Sequence, residues 1–79
     1  MQKLSEAPIG TDLRLISVDE PHSPHVSRLC ELGFVPGSLI RIVRETKVQA
    51  PMLLEINGAF MCIERSLAVS FWVREEATS

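Results

Sequence analysis

Tyrosine is missing from this chain, and aromatic residues are few: three phenylalanines and one tryptophan, at positions 34, 60, 71 and 72. A groove that grips proline-rich ligands needs several ring faces side by side, so that mode of binding is disfavoured. Cysteine occurs twice, at Cys30 and Cys62, too few for a disulfide framework. Each stands among apolar neighbours, Leu29 and Leu32 for one, Met61 and Ile63 for the other. This reads as two buried thiols in a reducing compartment, with a single long-range disulfide as the alternative. Positive charge is not in excess either: 8 Lys and Arg stand against 10 Asp and Glu, for a net charge of −2. The basic residues are scattered, whereas nucleic-acid binding needs a basic patch. The short strip Arg41, Arg44, Lys47 reads as a solvated strand edge. No apolar run approaches the roughly 20 residues of a membrane span. The first nine residues carry Lys3, Glu6 and Pro8 in place of the apolar core of a signal peptide. A soluble, cytoplasmic protein is the expectation.

What is present is apolar and finely punctuated. Hydrophobic residues make up 46% of the 79 positions, ample for a globular domain and contrary to disorder. A single domain over 1–79 is expected, with a core so small that packing must be efficient.

The stretch "TDLRLISVD" (11–19) reads as a strand with Leu13 and Leu15 on one face. Ile16 and Val18 lie on the other, and a bulge would reconcile the two. Before it the pattern is loose, with Leu4 and Ile9 available to tuck against the body. "SPHVSRLCELG" (23–33) reads as a short helix. Ser23 stands at the N-cap, Pro24 is the first helical residue, and Val26, Leu29, Cys30 and Gly33 follow one face. Gly33 falls where the chain must turn left-handed to leave the helix. Pro36-Gly37 fits the centre of a type II turn. "SLIRIVRET" (38–46) follows as a strand and "KVQAP" (47–51) as a loop. "MLLEIN" (52–57) alternates, with Met52, Leu54 and Ile56 facing one way. Asn57-Gly58 is a strong hairpin signal, "AFMCIE" (59–64) the return strand, "RSLA" a single helical turn and "VSFWVRE" (69–75) the last strand. Five strands this short are expected to close into a small barrel that hides their edges.

Little in this sequence promises catalysis. Nucleophile and base spacings of the Ser-His-Asp or Cys-His kind do not stand out, and there is no glycine-rich phosphate loop. The His-x-x-His pair His22 and His25, with Asp19, Glu20, Cys30 and Glu31 near in sequence, suits a first-row divalent metal such as iron or zinc. A closed site, however, needs three or four ligands in fixed geometry. Large apolar residues at turns point instead to protein docking. Phe34 and Val35 sit between the helix stop and the Pro36-Gly37 turn, where Phe34 either faces outward or folds back over the barrel end. Trp72 alternates with Phe71 and Val73 and is expected to face outward. Met52 opens a strand beside a loop. Phe34, Val35, Met52 and Trp72 are therefore the candidate binding residues, for a partner or for a homodimer.

The segments "RLCELGFVPGSLIRIV" (28–43), "MLLEINGAFMCIE" (52–64) and "AVSFWV" (68–73) together resemble the FeoA family, over residues 10–74. The family pattern places an Arg-Leu pair, a Leu-Gly pair and a Pro-Gly pair as Leu29, Leu32, Gly33, Pro36 and Gly37 stand here. Ala68, Phe71 and Val73 take its alanine, isoleucine and valine places. Glu64 departs from it, standing where a basic residue is common, with Arg65 next door. The resemblance implies an SH3-like barrel in a small cytoplasmic protein that accompanies the membrane ferrous iron transporter FeoB. It implies a non-catalytic accessory role in ferrous iron uptake, with no required cofactor, no nucleic-acid partner, and a membrane met only through the transporter. A metal-binding or metal-sensing role for the His22/His25 loop is the alternative. Similar domains end metal-dependent repressors, but this chain has no helix-turn-helix segment.

Overall fold

Ten residues at the start of the chain do more than the sequence suggests. In the computed structural model, which describes residues 1–45 and 51–76, Gln2–Lys3 form a strand (β1) paired antiparallel to the last strand. A 3-10 turn at Leu4–Glu6 follows. Leu4 is fully buried, whereas Ile9 remains exposed. The remaining elements are β2 (Asp12–Val18), α1 (Pro24–Glu31), β3 (Leu39–Glu45), β4 (Met52–Ile56), β5 (Ala59–Ile63), α2 (Arg65–Ala68) and β6 (Phe71–Glu75). Most of the expected loop at 47–51 lies outside the described residues.

The strands form one antiparallel sheet in the order β1-β6-β2-β3-β4-β5. Five strands are as expected and β1 is the sixth. Two residues cannot show a period of two, so β1 is invisible to a pattern reading. The result is the mainly β, SH3-like architecture expected, with β1 and β5 as the end strands of the described ladder.

Alternation explains the interior. Leu13 and Leu15 of β2, Ile40 and Ile42 of β3, Met52, Leu54 and Ile56 of β4, Ile63 of β5, and Phe71 and Val73 of β6 are all buried. From α1, Val26 and Leu29 pack on the same cluster, with Leu4, Ala7, Phe34 and Ala68 completing it. A helix of eight residues gains its stability from this docking rather than from its own hydrogen bonds. The β2–β6 register jumps between Leu15 and Ser17, so Ile16 is the extra residue of a bulge. That bulge is how Leu13 and Leu15 point inward while Val18 still packs against the core.

Candidate docking surface

The corner from Leu29 to Ser38 is built as a chain of backbone devices. Leu32 caps α1, and Gly33 takes φ of +117°. The Gly33 N–H donates to the Cys30 carbonyl at 3.1 Å and the Phe34 N–H to the Leu29 carbonyl at 3.0 Å. These two bonds are the Schellman pattern, which turns the residue after the glycine back onto the last turn of the helix. Phe34 is thereby driven into the core beside Leu29, fully buried, with its ring centroid 5.2 Å from that of Phe71. Of the two directions open to Phe34 in the sequence, the structure takes the inward one. Phe34 offers no exposed surface to a partner.

Pro36 and Gly37 follow in a turn closed by the Ser38 N–H donating to the Val35 carbonyl at 3.0 Å, with Gly37 at φ +97°. The Gly37 N–H donates to the Leu15 carbonyl and Arg14 Nη1 to the Gly37 carbonyl, both at 2.8 Å. Ser38, buried, donates its hydroxyl to the Gly33 carbonyl at 2.7 Å. A buried hydroxyl so partnered fixes local geometry, because losing either partner would leave a polar group unsatisfied. No local pattern in the residues points to that role for Ser38. On this frame Leu32 and Val35 stand outward, 54% and 45% exposed.

The other candidate residues are spread apart. Met52 lies in the inward row of β4 and is fully buried, not exposed at a loop. Its alternation with Leu54 and Ile56 decides this over its place at the strand end. Trp72 points away from the core as expected but is half-buried. Its Nε1 donates to Asp19 Oδ2 at 2.8 Å and Lys3 Nζ lies 5.6 Å from the ring centroid. A tryptophan clasped from two sides is more a structural fastening than an open apolar face. Asn57 and Gly58 take φ of +49° and +88°, the mirror-image turn a two-residue hairpin requires. Asn57 also ties that turn to β3, donating its N–H to the Leu39 carbonyl at 3.0 Å and accepting the Leu39 N–H on Oδ1 at 3.1 Å.

His22 and His25 are both exposed. His25, Cys62 and Glu64 line one shallow depression between α1, β5 and α2. Among the described residues, however, no group of three His, Cys, Asp or Glu converges to hold a metal ion. Both thiols are free. Cys30 is half-buried, but Cys62 is exposed, because it shares the outward row of β5 with Phe60. Arg41, half of the described basic strip, is engaged with Asp12, its Nε 2.9 Å from Oδ1. Arg14 pairs with Glu76 at 2.9 Å, and that hydrogen bond holds the Glu76 carboxyl below the usual carboxylate range. Among the described residues, no helix is long and apolar enough to cross a membrane.

The FeoA domain family matches residues 2–75. The solution structure of the FeoA protein from Chlorobium tepidum matches with a TM-score of 0.83 at 30% identity, over 96% of this chain and 71% of that one. The crystal structure of Stenotrophomonas maltophilia FeoA complexed with zinc matches with a TM-score of 0.80 at 31% identity, over 94% of this chain and 91% of that one. That protein is described as a prokaryotic SH3 domain protein, with a suggested role as a ferrous iron transport activating factor. A manganese-dependent transcriptional repressor shares the fold alone, with a TM-score of 0.81 at 16% identity over 95% of this chain and 41% of that one. No curated protein matches the chain by sequence. With its SH3-like sheet, its glycine-stopped helix and a family match over nearly its whole length, this chain belongs to the FeoA family, which is linked to ferrous iron transport.

Proposed function

We propose that this chain is a non-catalytic accessory protein of ferrous iron uptake, a single cytoplasmic domain that docks on the cytoplasmic part of a FeoB-type transporter and supports or regulates it. The match to Stenotrophomonas maltophilia FeoA over nearly all of both chains supports the transport role. Iron enters this reading as the transporter's cargo.

The observation that carries the docking surface is the exposure of Leu32 and Val35 on a corner held by hydrogen bonds on every side. Exposed apolar groups on a rigid frame lose little freedom on binding, which lowers the cost of association. The site therefore narrows from the four residues the sequence offers to Val35, with Leu32 added. Phe34 and Met52 are core residues, and Trp72 is held by Asp19 and Lys3.

A pull-down with the transporter's cytoplasmic domain, with and without nucleotide, tests this. Wild-type protein is retained, while Leu32→Asp and Val35→Asp, folded and equally soluble, are not. Full retention and normal iron uptake with both variants would defeat the reading. For the alternative, metal binding at the His22/His25 loop, the described residues supply two exposed imidazoles and no group of three converging donors, and a Zn(II) titration of wild type against His22→Ala/His25→Ala tests it.

A further inference from the structure

The sheet has two edges, and they are treated differently. β1 is two residues long and carries Lys3, the kind of short, charged strand that discourages pairing. β5 is five residues long, and its register against β4 runs from Ile56–Ala59 to Met52–Ile63 without a shift. Its sequence, Ala-Phe-Met-Cys-Ile, contains no charge and no proline. Among the described residues no strand pairs with its outer side. Phe60 is 65% exposed, and Cys62, in the same outward row, is exposed as well.

We infer that β5 is a self-association edge, on which a second copy of this chain adds its own β5 antiparallel about a two-fold axis through Met61. This surface uses neither Leu32 nor Val35, and its test does not depend on the docking proposal, although α1 borders β5 at the depression shared by Leu29 and Cys62.

The hydrogen-bond pattern selects that register. The two-residue Asn57-Gly58 loop makes Ile56 and Ala59 a hydrogen-bonded pair. Alternation then turns the backbone groups of Ala59, Met61 and Ile63 toward β4 and those of Phe60 and Cys62 toward the open edge. A two-fold through Met61 sets Phe60 opposite Cys62 of the second copy, and Cys62 opposite Phe60. Each such pair exchanges two hydrogen bonds, so all four outward groups of Phe60 and all four of Cys62, over both copies, are satisfied.

Side chains and charge choose the occupant. In this register large residues meet small ones: Phe60 meets Cys62, and Ile63 meets Ala59. Glu64, the first charge after the strand, falls opposite Gly58, so no like charges face each other. A strand that complements itself in size and carries no charge has what an isologous dimer needs. A five-residue edge falls below the ~1,200 Å² of a standard stable interface, so the dimer is weak and dependent on concentration.

Sedimentation of the purified full-length protein over a concentration series tests the inference. Wild-type protein shifts reversibly from monomer to dimer as concentration rises, and Phe60→Lys removes the shift while leaving the melting temperature unchanged. The register is tested in a Cys30→Ser/Cys62→Ser background. Met61 faces its own copy across a non-hydrogen-bonded pair, where side chains are closest. Under mild oxidation Met61→Cys therefore forms a disulfide dimer at least tenfold faster than Val35→Cys does in the same background. A wild-type protein that stays monomeric at all concentrations would overturn the inference. So would a Phe60→Lys protein that associates like wild type, or Met61→Cys that crosslinks no faster than the Val35→Cys control.

Discussion

The corner at residues 29–38 and the edge strand β5 both expose large apolar side chains, yet they differ in what their backbones do. At the corner every turn is closed: Gly33, Phe34, Gly37 and Ser38 all donate N–H bonds within the chain, and Leu32 and Val35 stand on a finished frame. Along β5 Phe60 is exposed further still, and one flank of the strand ends the sheet. A closed backbone with exposed side chains offers side-chain docking. An open backbone with exposed side chains offers strand pairing. The two proposals divide along that line.

The largest effect expected is on the corner itself. Phe34→Ala removes a buried ring that packs on Phe71, and large-to-small changes of this kind cost about 3–5 kcal/mol. Thermal denaturation should show a melting temperature lower by well over 10 °C, given roughly 4–8 °C per kcal/mol at this size. A variant that melts with wild type would mean the corner is not anchored through Phe34. Next is Gly33→Val. No atom crowds the site of its Cβ, so the whole cost is the positive φ of +117°, about 1–3 kcal/mol for a β-branched residue. Equal melting temperatures would show that the helix stop can relax. The edge should behave oppositely: Phe60→Lys changes an exposed side chain and shifts stability by less than about 0.5 kcal/mol, while association is lost.

The smallest effect concerns the tether between β2, the Pro36-Gly37 turn and the chain beyond β6. The Arg14 guanidinium donates to Glu76 and to the Gly37 carbonyl, and its bond to Glu76 lowers the folded pKa of that carboxyl. A lowered folded pKa stabilises the native state fully above the unfolded value of about 4.3, and the contribution fades as pH falls through the folded value. Denaturant midpoints measured downward from pH 6 should therefore decline slightly more for wild type than for Glu76→Gln. Parallel curves would remove the pair from the account.

Much of this was legible in the residues. The alternation of Met52, Leu54 and Ile56, the Pro24 helix start, the Gly33 stop and the Asn57-Gly58 hairpin are local signals, and local signals carry local structure. What escaped depends on distance along the chain. Trp72 reads as an outward aromatic because its partners, Asp19 and Lys3, lie far from it in sequence. Ser38 reads as the first residue of a strand because its bond to Gly33 exists only once both turns have formed. The direction of Phe34 is open in the sequence for a similar reason: the Schellman pair, not hydrophobicity, sets it. The openness of β5 is a property of strand order, and no stretch of sequence states strand order.

On the proposed function, a rigid corner presents Leu32 and Val35 to a transporter. Calorimetric titration of the cytoplasmic domain of a FeoB-type transporter with wild-type protein and with Val35→Asp tests it most directly. The account predicts saturable binding for wild type and at least tenfold weaker binding for Val35→Asp, at an unchanged melting temperature. Equal affinities for the two proteins would contradict it.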